Sequence, residues 1–213
     1  MIPLINPHRL APTGQWYSHE NTSSATIPTN SNTGRLTYDT GTTFTNFKMR
    51  TTISFSYGGG NWNGSLAMYT SPEDKGLYQS DGVDRFICAM FHRHNNGNTE
   101  SEHGAHDEDL QLTGSCNKTS SVGSTSNPYN VLDYGCGGGL VNGKNIELER
   151  DGNTCYYRRY DNGFSNSHTS ENSWTVEDSS GTGIGDMRYF IIGGRWNGSI
   201  SASVSYRKFE WFA

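Results

Sequence analysis

Between residues 47 and 57, apolar and polar side chains alternate. Phe47, Met49, Ile53, Phe55 and Tyr57 hold the odd positions; Lys48, Arg50, Thr52, Ser54 and Ser56 hold the even ones. A two-residue period predicts a strand with one face on a core and the other in water. Gly58-Gly59-Gly60 ends it. Phe86 to Phe91 is short and continuously apolar, which predicts a strand covered on both faces. Asn145 to Arg150 alternates again, with Ile146 and Leu148 inward and Glu147 and Glu149 on the solvent face. Asp151-Gly152 then predicts a two-residue hairpin turn, Cys155-Tyr156-Tyr157 the return strand, and Asn162-Gly163 the next turn. Near the end, Ile200, Ala202, Val204 and Tyr206 keep even parity, whereas Phe209 and Trp211 keep odd parity. That switch predicts a β-bulge near Arg207-Lys208, because one extra residue flips the inward face.

No helical period persists for more than a turn or two. Residues 93–143 read mostly as loop, and loops of that length are often functional. Residues 1–14 read as an extended arm, since Pro3, Pro7 and Pro12 forbid a regular helix or a central strand; residues 15–213 read as one β-sandwich. A pattern GGxWNGS occurs twice, at Gly59–Ser65 and Gly193–Ser199. Asn-Gly favours a type I′ turn, so both copies read as hairpin tips carrying a tryptophan.

Composition narrows the class. Gly, Ser, Thr and Asn fill 92 of the 213 positions, which is poor in helix formers and rich in turn chemistry. Aromatic residues at 12% supply a core, so the chain is not a disordered one. A net charge of −5 gives no footprint for nucleic acid. No apolar run is long enough to insert in a membrane. The N-terminus lacks the basic start and apolar centre of a signal peptide, an expectation for a cytoplasmically made protein unless a leader was removed. Cys88, Cys116, Cys136 and Cys155 form no CxxC pair; reduced thiols are expected, with the disulfide alternatives open.

Gly34-Arg35-Leu36-Thr37-Tyr38, the Phe44 to Tyr57 strand, Ile146 to Asn153 and Tyr189 to Gly194 together resemble the concanavalin A-like lectin/glucanase superfamily, including laminin-G-type domains. In that superfamily a strand of the type "vxlxRdGn" precedes a hairpin and a Trp-containing segment, matched here by Trp174. The resemblance covers residues 34–213 in outline and implies an all-β fold: a two-sheet antiparallel jelly roll of about a dozen strands. It implies no single function.

Three sets of residues carry candidate chemistry. Trp62 with Asn63, and Trp196 with Asn197, have the composition of a sugar site, an aromatic platform beside amide hydrogen-bonding groups; two Trp rings that cap the core are the competing reading. His103, His106, Asp107 and Asp109 offer imidazole and carboxylate ligands for Zn²⁺ or, through oxygens, Ca²⁺. Their spacing matches no closed zinc signature and HExxH is absent, so a solvated acidic loop is the competing reading. The third set is the proline arm. Glycoside hydrolysis needs two facing carboxylates; the resemblance implies a pattern like ExDxxE on one strand, which Asp107-Glu108-Asp109-Leu110 fails. No GxSxG elbow or phosphate loop occurs, and nothing near Cys136 activates it as a nucleophile.

The composition, proline arm and start of the chain look like those of phage and viral particle proteins. The leading expectation is a non-enzymatic virion surface protein: a capsid decoration, fibre or receptor-binding unit, homo-oligomeric, partnered by coat subunits and cell-surface glycans. A cellular or secreted, extracellular lectin and a polysaccharide-cleaving enzyme are the alternatives.

Overall fold

A computed structural model describes residues 14–28, 34–56, 64–76, 85–93, 99–107, 133–134, 144–175, 185–196 and 201–213. Thirteen strands are seen among them and no helix. They form two antiparallel sheets packed face to face, the expected jelly-roll sandwich.

The seven-stranded sheet runs β1 (Trp16–Asn21), β13 (Ser201–Phe212), β4 (Phe47–Ser56), β9 (Lys144–Asp151), β10 (Thr154–Tyr160) and β11 (Ser170–Thr175), with β2 (Ala25–Pro28) also paired to β13. The six-stranded sheet runs β3 (Leu36–Phe44), β12 (Met187–Trp196), β5 (Gly64–Ser71), β6 (Arg85–Arg93), β7 (Thr99–Asp107) and β8 (Asp133–Tyr134).

The main core lies between the sheets. Phe47, Met49 and Ile53 of β4, with Ile146 and Leu148 of β9, meet Leu66, Met68, Phe190 and Ile192 of the other sheet. Phe190 sits between Phe44 and Phe209, its ring centroid 4.8 Å from one and 4.9 Å from the other, and nearly parallel to both. The apolar run of β6 divides as its lack of alternation predicts. Ile87, Ala89 and Phe91 join this core, while Phe86 and Cys88 join a second cluster with Ala67, Tyr69 and Ile191 on the opposite face of the sheet.

Several expectations require correction. Within residues 93–143, read as mostly loop, Thr99–Asp107 is a nine-residue strand, held by pairing along β6 rather than by any apolar alternation of its own, and most of the remaining range lies outside the described residues. The β9–β10 turn is Gly152-Asn153, not Asp151-Gly152, because Asp151 pairs with Thr154. Gly152 takes the left-handed backbone (φ 60°) that L side chains avoid. Its N–H donates to Asn46 Oδ1 at 2.8 Å, and its carbonyl accepts from Arg150 Nε at 2.8 Å. The β13 bulge falls between Val204 and Tyr206, two residues before the expected place. Tyr206 therefore lies on the outer face, and Arg207, Phe209 and Trp211 turn inward and are buried. β1 and β2 precede the first strand signals read from the sequence. Pro3, Pro7, Pro12, Tyr57, Cys116, Cys136 and Ile200 lie outside the described residues. Cys88 and Cys155 are buried thiols in different sheets. Among the described residues no helix is long and apolar enough to cross a membrane.

Candidate functional site

β4 and β13 belong to one sheet, β5 and β12 to the other. The two GGxWNGS segments therefore span the β4-to-β5 and β12-to-β13 connections. Each passes from one sheet to the other, so neither is the hairpin tip expected from Asn-Gly; a hairpin would keep both strands in one sheet. Their stems are paired at both ends, Ser56 with Ser201 and Trp196 with Ser65. Two segments far apart in sequence thus leave the sandwich side by side at one end. Gly193 and Gly194 are strand residues of β12, and a Cβ on Gly193 would lie 3.0 Å from the Arg35 Cβ. Trp196 is in register with Ser65, Ser65 with His92, and His92 with Glu100, a row across four strands. Trp62, Asn63 and Asn197 lie outside the described residues.

The outer face of the six-stranded sheet runs from this row. Its floor is apolar and buried: Tyr69 is in register with Ile191 on one side and Cys88 on the other, and the Tyr69 hydroxyl donates to the Lys75 carbonyl at 2.6 Å. One rim is built by β3. Asp74 accepts from Arg35 Nε at 3.0 Å and from the Thr37 hydroxyl at 2.9 Å. Asp39 accepts both arms of Arg188 at 2.8 and 2.9 Å. Those Arg188 bonds, with the N–H of Gly41, hold the Asp39 carboxyl down at about 2.

β7 forms the other side. His106 is in register with Phe86, Gly104 with Cys88, and Glu102 with Met90, positions of the outer face. His103 is in register with Ala89, and Asp107 with Arg85, positions of the opposite parity. By register His103 and Asp107 hold positions of one parity along β7 and His106 a position of the other; Asp109 lies outside the described residues. Among the described residues no group of three potential ligands is assembled.

The seven-stranded sheet carries a polar arrangement that alternation alone misread. Register aligns Glu20, Lys208, Arg50, Glu147, Arg158 and Glu171 in one row across its outer face. Glu147 is not solvent-facing: it is 1% exposed. Its carboxylate accepts from Arg50 Nε at 2.5 Å, Arg158 Nη1 at 2.7 Å and the Tyr160 hydroxyl at 3.1 Å. Arg158 also bonds Glu149 and Glu171, and Lys48 pairs with Glu149 at 3.1 Å. The loop of residues 161–169 places Phe164 over this row, 5.2 Å from the Tyr160 ring and 5.5 Å from both the Tyr206 ring and the Arg50 guanidinium. Phe164, an aromatic residue inside an otherwise polar turn, is the sequence signal that something covers Glu147.

Burial alone would raise the Glu147 pKa, but the bonds from Arg158 and Arg50 outweigh it and hold the carboxyl below its ordinary range. Tyr160 moves the other way: burial and the adjacent Glu147 charge push its phenol up to about 12. A glycosidase acid needs a raised pKa and room for a sugar. Glu147 has neither, and Glu149 is tied to Arg158 and Lys48, so this pair of carboxylates braces the sheet.

The two sheets with their connections define a two-sheet antiparallel jelly-roll sandwich. Among solved structures, the chain is similar to the exoplasmic/lumenal domain of VIP36 in its Ca²⁺/Man2-bound form, with TM-score 0.52, 10% identity, and coverage of 93% of this chain and 80% of that one. It is also similar to alginate lyase Aly36B (TM-score 0.44, 12% identity, 88% and 78% covered). A third likeness is to the CBM2 module of the evolved Dit of Lactobacillus casei BL23 phage J-1 (TM-score 0.39, 16% identity, 89% and 68% covered). At these identities the likeness is one of fold. No protein-family model and no curated protein matches the sequence.

Proposed function

We propose that this chain is a non-catalytic carbohydrate-binding protein of a virion surface, taking glycans at the end of the sandwich where the two GGxWNGS segments leave it. The observation that carries the reading is the double pairing of their stems, Ser56 with Ser201 and Ser65 with Trp196. The connections that follow these stems carry Trp62-Asn63 and Trp196-Asn197 in sequence, and in this reading both pairs serve one site. A pyranose offers an apolar face to an indole and hydroxyls to an amide, so two such pairs suit a sugar better than either alone. The concanavalin A-like fold is compatible with this and decides nothing by itself. The residues preceding β1 serve in this reading as the arm that docks on a coat subunit.

A glycan array with the intact chain tests the first part. Binding should fall at least tenfold in Trp62→Ala and in Trp196→Ala, with unchanged circular dichroism. An array without hits, or hits unaffected by either substitution, overturns it. Deleting residues 2–14 tests the second: the sandwich should remain folded and incorporation into particles should be lost.

A further inference from the structure

We infer that Arg207 anchors a site for a small carboxylate ion between the two sheets, where β1 gives way to β2 along β13. The bulge between Val204 and Tyr206 is what makes Arg207 an inward residue. Without it, β13 would carry the even parity of Ala202 and Val204 onward and turn Arg207 to the outer face. One extra residue re-aims the side chain, as bulges do. The result is an arginine only 7% exposed, on the buried face of Phe209 and Trp211. Its Nη1 has no hydrogen-bond partner among the described residues. Register places Asn21 of β1 on one side of it and Thr51 of β4 on the other. Thr51 is fully buried, and its hydroxyl likewise has no partner among the described residues. No carboxylate stands near in the sheet: Ile146 follows Thr51 in the row, His19, Phe209 and Met49 hold the next row on one side, and Ala25, Val204 and Ile53 the next on the other. The opposing sheet brings Leu36, Tyr38, Phe190 and Ile192 to the same core.

A guanidinium keeps its proton in a protein, so it cannot answer burial by becoming neutral. Burial disfavours its charge and pushes its pKa down. A buried charge is stable when an opposite charge bonds to it. The planar fork of arginine matches a carboxylate, which accepts two parallel N–H bonds and still has a lone pair for the Thr51 hydroxyl. A single negative charge fits better than the two of sulfate, because the other cations of these rows, Arg159 and Lys144, are already paired with Asp161. Depth limits size as well: a side chain buried this far is reached only by an ion of a few heavy atoms. A way in exists beside the bulge. β1 ends at Asn21 and β2 begins at Ala25, and the residues between them are exposed. Between Val204, paired with Ala25, and Arg207, paired with Asn21, that edge of β13 has no strand partner among the described residues. The Asn21 side-chain oxygen accepts the Ser23 N–H at 2.8 Å and holds the turn at this gap.

Thermal unfolding of the intact chain in sodium acetate, set against sodium chloride at the same ionic strength, tests the assignment. An ion that binds only the folded state raises the melting temperature in proportion to its occupancy. The wild-type melting temperature should therefore rise with acetate and level off. In Arg207→Met, which keeps the length of the side chain and removes its charge, the rise should be lost. Thr51→Val keeps the shape and removes one donor, so the acetate concentration at half-effect should increase by about threefold or more. No saturable rise in the wild type, or the same rise in Arg207→Met, overturns the proposal. Should Arg207→Met fail to fold, Thr51→Val decides: an unchanged half-effect concentration in that variant overturns it.

Discussion

Arg50 donates to Glu147 across the β4–β9 ladder at 2.5 Å, and the pair lies under Phe164 on what strand alternation marks as a wet face. A buried carboxylate persists only when its lone pairs are filled; here two guanidiniums and a phenol fill them. Glu147→Ala leaves Arg50 and Arg158 facing each other without their shared anion. It should destabilise the fold by about 3 kcal/mol, read from the urea midpoint. Glu147→Gln should cost less, since the amide still accepts.

The same carboxylate gives the protein an acid limb. Its folded pKa lies below the unfolded value near 4.5, so its contribution is complete above that value and lost as pH falls through the folded pKa. Melting temperature should decline below about pH 4.5, and the decline should be shallower in Glu147→Gln. An identical acid limb in both proteins would place the effect elsewhere.

At the alkaline end Tyr160 acts with the opposite sign. Its phenol is raised from 10.0 to about 12, so its contribution is present below pH 10.0 and disappears as pH rises through about 12. Tyr160→Phe should lower stability at neutral pH by about 1 kcal/mol and make the alkaline loss shallower, as read from chemical denaturation across that range.

In the inter-sheet core, Phe190→Ala removes the middle ring of the Phe44–Phe190–Phe209 stack. A cavity between two stacked neighbours that strands hold in place closes poorly, and the cost should be about 3–5 kcal/mol. Phe190→Leu should recover most of it. Both are checked by thermal unfolding.

Gly152→Val tests the β9–β10 turn. Space is not the obstacle, since nothing lies within 4 Å of an added Cβ; the positive φ is. A β-branched residue there should cost about 1–2 kcal/mol. A larger loss would show that the contacts through Asn46 and Arg150 go with it.

Local alternation was enough to read β4, β9, β10 and most of β13 from the sequence, and the unbroken apolar run was enough to give β6 two buried faces. It failed where neighbours decide. β7 carries TESEHGAHD, a segment with no inward pattern, and becomes a strand because β6 offers it a ladder. Glu147 obeys its parity and is still buried, because the 161–169 loop folds back over it. The bulge was visible as a parity switch but not placeable, since Tyr206 is amphipathic enough to suit either face. Trp196 was recognisable as a candidate side chain, but its row with Ser65, His92 and Glu100 was not.

The order of polar and apolar residues by itself determined that this chain makes two-faced strands, and so a sandwich, because a period of two leaves only one way to hide the apolar half. Which strands become neighbours was decided only in three dimensions. Pairing of Arg50 with Glu147 and of Ser56 with Ser201 depends on register. Register is a relation between distant segments, set by the whole packed sheet rather than by any one strand.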